Sequence, residues 1–100
     1  SMHSYITSAD TISRASEVAK LLSDPTRLRI LEALFTADDD LCVNEIAAMA
    51  GSSHSATSHQ LAKLEAHHIV SSFREGQTMC YDLLENEDTK VLKALLRLLV

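Results

Sequence analysis

Residues 41–67 read LCVNEIAAMAGSSHSATSHQLAKLEAH, and how this stretch divides decides the fold. Leu41-Cys42-Val43 is a short extended element. Asn44 is a cap for a helix over Glu45 to Ala50, with Ile46, Ala47 and Met49 at its buried positions. Gly51 stands where a helix needs a left-handed terminator. Ser52 or Ser53 then caps a following helix that runs to about His67, with Ala56, Leu61 and Leu64 on its inward face. Two helices joined by a tight glycine turn make a helix-turn-helix.

Outward from this core, Ile69 to Phe73 is a strand, Arg74-Glu75-Gly76-Gln77 a turn and Thr78 to Leu83 a second strand with Met79, Tyr81 and Leu83 on one face. The hairpin is a wing behind the helix-turn-helix. Upstream, Ile12, Ala15, Val18, Ala19 and Leu22 set a helical period that begins at Thr11. Ser23-Asp24-Pro25 stops that helix and starts another: Asp24 can cap it, and Pro25 suits its first position. Leu28, Leu31, Leu34 and Phe35 are its apolar stripe, and Asp38, Asp39 and Asp40 follow in a charged loop. Thr89 to Val100 closes as a helix. The fold class is therefore mainly α with a small β-hairpin, a winged helix-turn-helix. Residues 1–10 are expected to be a flexible arm and residues 11–100 a single domain. The chain's 100 residues suit one domain, and 2 glycines and 1 proline argue against a turn-rich sandwich or barrel.

Four stretches, in order and at the right spacing, resemble the ArsR/SmtB family of small bacterial metal- and stress-responsive repressors. They are Ser23-Asp24-Pro25-Thr26-Arg27-Leu28-Arg29-Ile30-Leu31; Leu41 through Ala47; Ser55-Ala56-Thr57-Ser58-His59-Gln60-Leu61-Ala62-Lys63-Leu64; and Arg74-Glu75-Gly76-Gln77 through Tyr81. A recognition helix offers its N-terminal residues to base edges in the major groove. Here those residues are Ser53, His54, Ser55, Thr57, Ser58 and His59. Helix capping alone explains Ser52 or Ser53, but not the polar residues that follow beside a wing. The resemblance implies that His54, Ser55, Ser58 and His59 face an operator, that Lys63 and Arg74 contact phosphate, and that Gln77 at the wing tip meets the minor groove.

From Val91 to Val100 only Lys93 and Arg97 are charged. A helix apolar around most of its circumference must be covered on several sides, which a two-fold partner's first and last helices can do. A homodimer on an inverted-repeat operator in double-stranded DNA is expected, and the resemblance agrees.

The resemblance implies an effector, expected to be a metal ion or a thiol-reactive, redox signal. In the family's thiolate set, Cys42 matches the first position, but the second is Asn44, a poor soft-metal ligand. The N-terminal arm has His3 and no cysteine. In the family's terminal-helix set, Glu85 and Glu87 stand at the first pair and Leu98 near the later histidine, and the chain ends before the next. That zinc site is expected to be absent. Cys42 and Cys80 fall at alternating positions on strands that would pair, so they would share a face. They could take a soft metal ion, or none if they are oxidised to a disulfide; Cys80 could equally fill a small apolar space. His67-His68 reads as a cationic helix end, since neighbours on a helix diverge. The acidic groups Asp38–Asp40 and Asp82–Asp88 read as a solvated face in preference to a hard-cation site.

The net charge of −5 speaks against a passive nucleic-acid sponge and motivates an alternative, a winged-helix module acting through protein–protein contact. From Met49 to Tyr81, however, Lys63 and Arg74 balance Glu65 and Glu75, so the acidity lies outside the reading surface. No apolar run nears the ~20 residues of a membrane span, and no secretion signal is apparent. Two cysteines cannot scaffold a secreted domain, so a cytoplasmic protein without enzymatic chemistry is expected.

Overall fold

The computed structural model describes residues 8–99. Most of the arm expected over residues 1–10, including His3, lies outside that range. The first helix, α1 (Ala9–Lys20), starts two residues before Thr11, because the Ser8 hydroxyl accepts the Thr11 N–H at 3.2 Å. Asp24 caps α2 (Pro25–Thr36) as expected, accepting the N–H groups of Thr26 at 2.8 Å and Arg27 at 3.4 Å.

Next come β1 (Leu41–Cys42) and α3 (Val43–Ala50). Cys42, not Asn44, stands at the N-cap of α3, and its N–H donates to Glu45 Oε1 at 2.9 Å. The packing of α3 also turns a different face inward. Val43, Ile46, Ala47 and Ala50 form the buried stripe, one turn apart, and Met49 falls off it at 54% exposed. Gly51 ends α3 at φ +63°, the left-handed conformation expected of it. A Cβ there would meet no heavy atom within 4 Å, so Gly51→Ala should cost only the conformational penalty, about 1 kcal/mol. Thermal unfolding should show a drop of about 4–8 °C; an unchanged melt would contradict the left-handed turn.

Ser53 caps α4 (His54–Ala66), accepting the Ala56 N–H at 3.1 Å. The inward face of α4 is Thr57, Gln60, Leu61 and Leu64; Ala56, expected inside, is exposed. His68 adopts φ 59°, turning the chain out of α4, and its carbonyl accepts from Asn86 Nδ2 at 2.8 Å.

Strands β2 (Val70–Glu75) and β3 (Thr78–Leu83) form the hairpin, and the antiparallel sheet runs in the order β1-β3-β2. Leu41 pairs with Tyr81 and Cys42 with Cys80. Finally α5 (Glu87–Leu99) starts two residues before Thr89, because Asn86 Oδ1 accepts the Thr89 N–H at 3.0 Å and Thr89 Oγ1 accepts the Asn86 N–H at 3.0 Å.

One core holds these elements: Ile30, Leu31, Ile46, Leu61, Leu64, Ile69 and Leu92 are each fully buried. Two helices are poorly covered. Ile12 on α1 is 58% exposed, and on α5 Val91, Leu98 and Leu99 are 45%, 81% and 74% exposed. Arg14 and Asp88 join these two helices by an ion pair at 2.8 Å. No described helix is long and apolar enough to cross a membrane.

Candidate nucleic-acid interface and thiol site

Helix α4 turns Leu61 and Leu64 inward and leaves His54, Ser55, His59 and Lys63 exposed, with Ser58 half-buried. Ser53 is exposed, and its hydroxyl is engaged in capping. Thr57 requires a correction. It is fully buried, and its hydroxyl finds no hydrogen-bond partner among the described residues. It lies on the side of α4 opposite Ser55 and His59, because two residues along a helix are about 200° apart. Its side chain belongs to the core, not to the outward polar face.

The wing tip presents Arg74, Glu75, Gly76 and Gln77 to solvent. Glu75 pairs with Thr78 across the hairpin, and Gly76 takes φ 64° in the turn. Between wing and α4 runs a groove lined by Asn44, His54, Ser58, Gln77 and Thr78 over a floor that includes Tyr81. The structure thus brings Ser58, His54 and Gln77 to one groove. Asn44 joins them; from the sequence it was expected to cap α3, and its place off the buried stripe of that helix is the signal that could have found it.

Behind α4 a buried polar network sets the helix in place. Arg27, 8% exposed, donates from Nε to the Leu21 carbonyl at 2.8 Å, from Nη2 to the Lys20 carbonyl at 2.8 Å and from Nη1 to Gln60 Oε1 at 3.0 Å. Gln60 Nε2 donates in turn to Asp24 Oδ2 at 2.8 Å. Burial pushes the Asp24 carboxyl up, but the N–H groups of Arg27 and Thr26, the Arg27 guanidinium and the Gln60 amide outweigh it and hold the group below its ordinary value. The end of α1, the start of α2 and the middle of α4 are therefore one hydrogen-bonded unit.

On the sheet, Cys42 and Cys80 are joined by a disulfide across β1 and β3, with Cα atoms 3.7 Å apart. The two cysteines do share a face, and Cys80 is fully buried. Glu75 reaches back over the pair: its Oε2 is 3.5 Å from Cys80 Sγ and 3.7 Å from Cys42 Sγ. Asp40 completes the cluster, with one ligand atom from each of Asp40, Cys42, Glu75 and Cys80 lying within 4.8 Å of the others. Asp39, Asp40 and Asp82 form an adjoining acidic group. The Asp40 carboxyl is raised by its hydrogen bond to Asp39, by burial and by the charges of Asp39 and Asp82. Neither group includes Glu85, Glu87, His67 or His68.

The model for "Bacterial regulatory protein, arsR family" matches residues 24–72. The "Transcriptional repressor SmtB homolog" of Synechocystis sp. is 38% identical over 81% of this chain and 60% of its own length. The chain spans between half and two thirds of the length of the first curated relatives it matches. The crystal structure of the AntR antimony-specific transcriptional repressor superposes with a TM-score of 0.79 at 33% identity, covering 95% of this chain and 84% of that one. The solution structure of a homodimeric winged helix-turn-helix DNA-binding domain from Mycobacterium bovis, a possible ArsR-family regulator, gives 0.72 at 28% identity, over 91% of this chain and 82% of that one. With helix-turn-helix, wing and flanking helices all in common with these proteins, the chain belongs to the ArsR family of bacterial regulatory proteins.

Proposed function

We propose that this chain is a cytoplasmic, homodimeric repressor that binds an inverted-repeat operator in double-stranded DNA and releases it on sensing a metal ion or a thiol-reactive signal at Cys42 and Cys80. The observation that carries the DNA-binding reading is the outward face of α4. Ser55 and His59 are exposed there, with Ser58, His54 and Gln77 at the adjoining groove. Short polar side chains on a helix beside a wing suit base edges, and Lys63 and Arg74 flank them as phosphate contacts. The similarity to an antimony-specific repressor supports the effector class.

Selection of bound duplexes from a random library, followed by affinity measurements across salt concentrations, tests this reading. Inverted repeats with half-sites about one turn apart, ~34–36 Å, are expected. The logarithmic salt slope should be about −4, from two phosphate-contacting cations on each protomer. Failure to enrich any sequence, or an affinity indifferent to salt, would favour the protein-contact alternative.

The apolar residues left uncovered on α1 and α5 support the dimer, as does the homodimeric relative. Ile12→Glu combined with Val91→Glu should convert the chain to a monomer in sedimentation at micromolar concentration. Both side chains are exposed, so each protomer should keep its helical circular dichroism. A wild-type sedimentation coefficient in this variant would place the interface elsewhere.

A further inference from the structure

The surroundings of Cys42 and Cys80 discriminate between the two chemistries a cysteine pair can perform. A thiol that senses oxidants works as thiolate and is favoured by positive neighbours. Here the neighbours are carboxylates: Glu75 lies against both sulfurs, Asp40 is within the same cluster, and Asp39 and Asp82 adjoin it. None of the ion pairs among the described residues involves any of the four. Such a field opposes free thiolate and repels anionic reagents. It attracts a dication, which compensates thiolate and carboxylate charge together.

We propose that, with Cys42 and Cys80 as thiols, Asp40, Cys42, Glu75 and Cys80 form a site for one thiophilic divalent cation of the Zn²⁺ or Cd²⁺ kind. Two sulfurs and two carboxylate oxygens are a complete tetrahedral donor set for such an ion. The strands bring the donors together. Asp40 precedes Cys42 by two residues, Cys80 pairs with Cys42 on one side and Phe73 on the other, and Glu75 is two residues beyond Phe73 on β2. The alternation of strand side chains therefore puts all three strand donors on one face. The dithiol form is reached from the disulfide by two electrons and two protons, supplied by a thiol or phosphine reductant and by solvent. On ligation each thiol then releases its proton to solvent. An ion held there ties the wing tip, through Glu75, to the start of α3. Its role as the effector site rests on the repressor reading; ion binding itself does not.

The test uses the full chain, reduced with a phosphine, desalted without oxygen and titrated with cadmium chloride. A thiolate-to-cadmium charge-transfer absorption should saturate at one ion per chain and be displaced by zinc. Cys42→Ser, at a half-exposed position, should lose the absorption and about 100-fold or more in affinity. Glu75→Gln and Asp40→Asn should keep the absorption, since both thiolates remain, and each weaken binding by at least about tenfold, the loss that even removing a partner behind a ligand causes. Circular dichroism confirms that each variant is folded. No absorption in the reduced wild type overturns the site, as does binding indifferent to both carboxylate variants. Selected duplexes then decide the effector role: cadmium should lower operator affinity about 5- to 150-fold, and equal affinities with and without it overturn that role. A metal-free chain that binds no duplex overturns the repressor reading and leaves the cadmium titration standing.

Discussion

Ser58→Ala combined with His59→Ala should reduce operator affinity by two orders of magnitude or more and leave thermal stability unchanged. Removing a side chain that reads a base edge costs ~1–3 kcal/mol of discrimination, and a dimer is deprived of both residues in both half-sites. Binding should fall toward the non-specific level, where phosphate contacts alone remain, so the salt slope should hold while sequence preference disappears. Neither side chain makes a hydrogen bond among the described residues, His59 is exposed and Ser58 half-buried. The melt should therefore stay within about 0.5 kcal/mol of wild type. Fluorescence anisotropy on the selected duplex, beside a thermal scan, checks both halves. Wild-type affinity would remove these residues from the reading face.

The largest expected effect on stability is at Arg27. Arg27→Ala removes a buried guanidinium and leaves the Leu21 and Lys20 carbonyls and the Gln60 amide oxygen without their donors. Orphaned buried acceptors cost ~1–3 kcal/mol each, and partial relaxation brings the total to about 3–4 kcal/mol. The melting temperature should fall by about 15 °C or more. Arg27→Lys should rescue little, because one ammonium cannot reproduce a planar fork that reaches three acceptors. Since Gln60 lies on α4, the folded fraction of Arg27→Ala should also bind the operator more weakly. A melt within about 2–3 °C of wild type, below the shift that even 1 kcal/mol of destabilisation produces, would show that the network does not hold α4 in place.

The arrangement of elements was legible because it is written in local codes. Asp24-Pro25, Gly51 and Ser53 each act within one helical turn, and a Gly-containing turn between two alternating segments makes a hairpin with no help from distant residues. Errors came where helix phase mattered. On α3, Val43 and Ala50 join Ile46 and Ala47 on the buried stripe, and Met49 lies off it. On α4, Thr57 took the inward position expected for Ala56. Adjacent residues differ by 100° around a helix, so an error of one residue exchanges core for surface. Polarity misled at Thr57, since a hydroxyl flanked by Ser55 and Ser58 reads as exposed until the packing of α4 is known.

By itself, the sequence determined the winged helix-turn-helix, the identity of the polar residues opening α4, and the shared face of Cys42 and Cys80, since capping, turn and alternation rules operate over a few residues. Tertiary structure alone decided which of those polar residues face outward. It also placed Arg27 against Gln60, 33 positions away, and drew Glu75 and Asp40 around the two sulfurs. Those outcomes depend on strand register and on how one helix rotates against the core, which many weak contacts set together and no single short segment encodes.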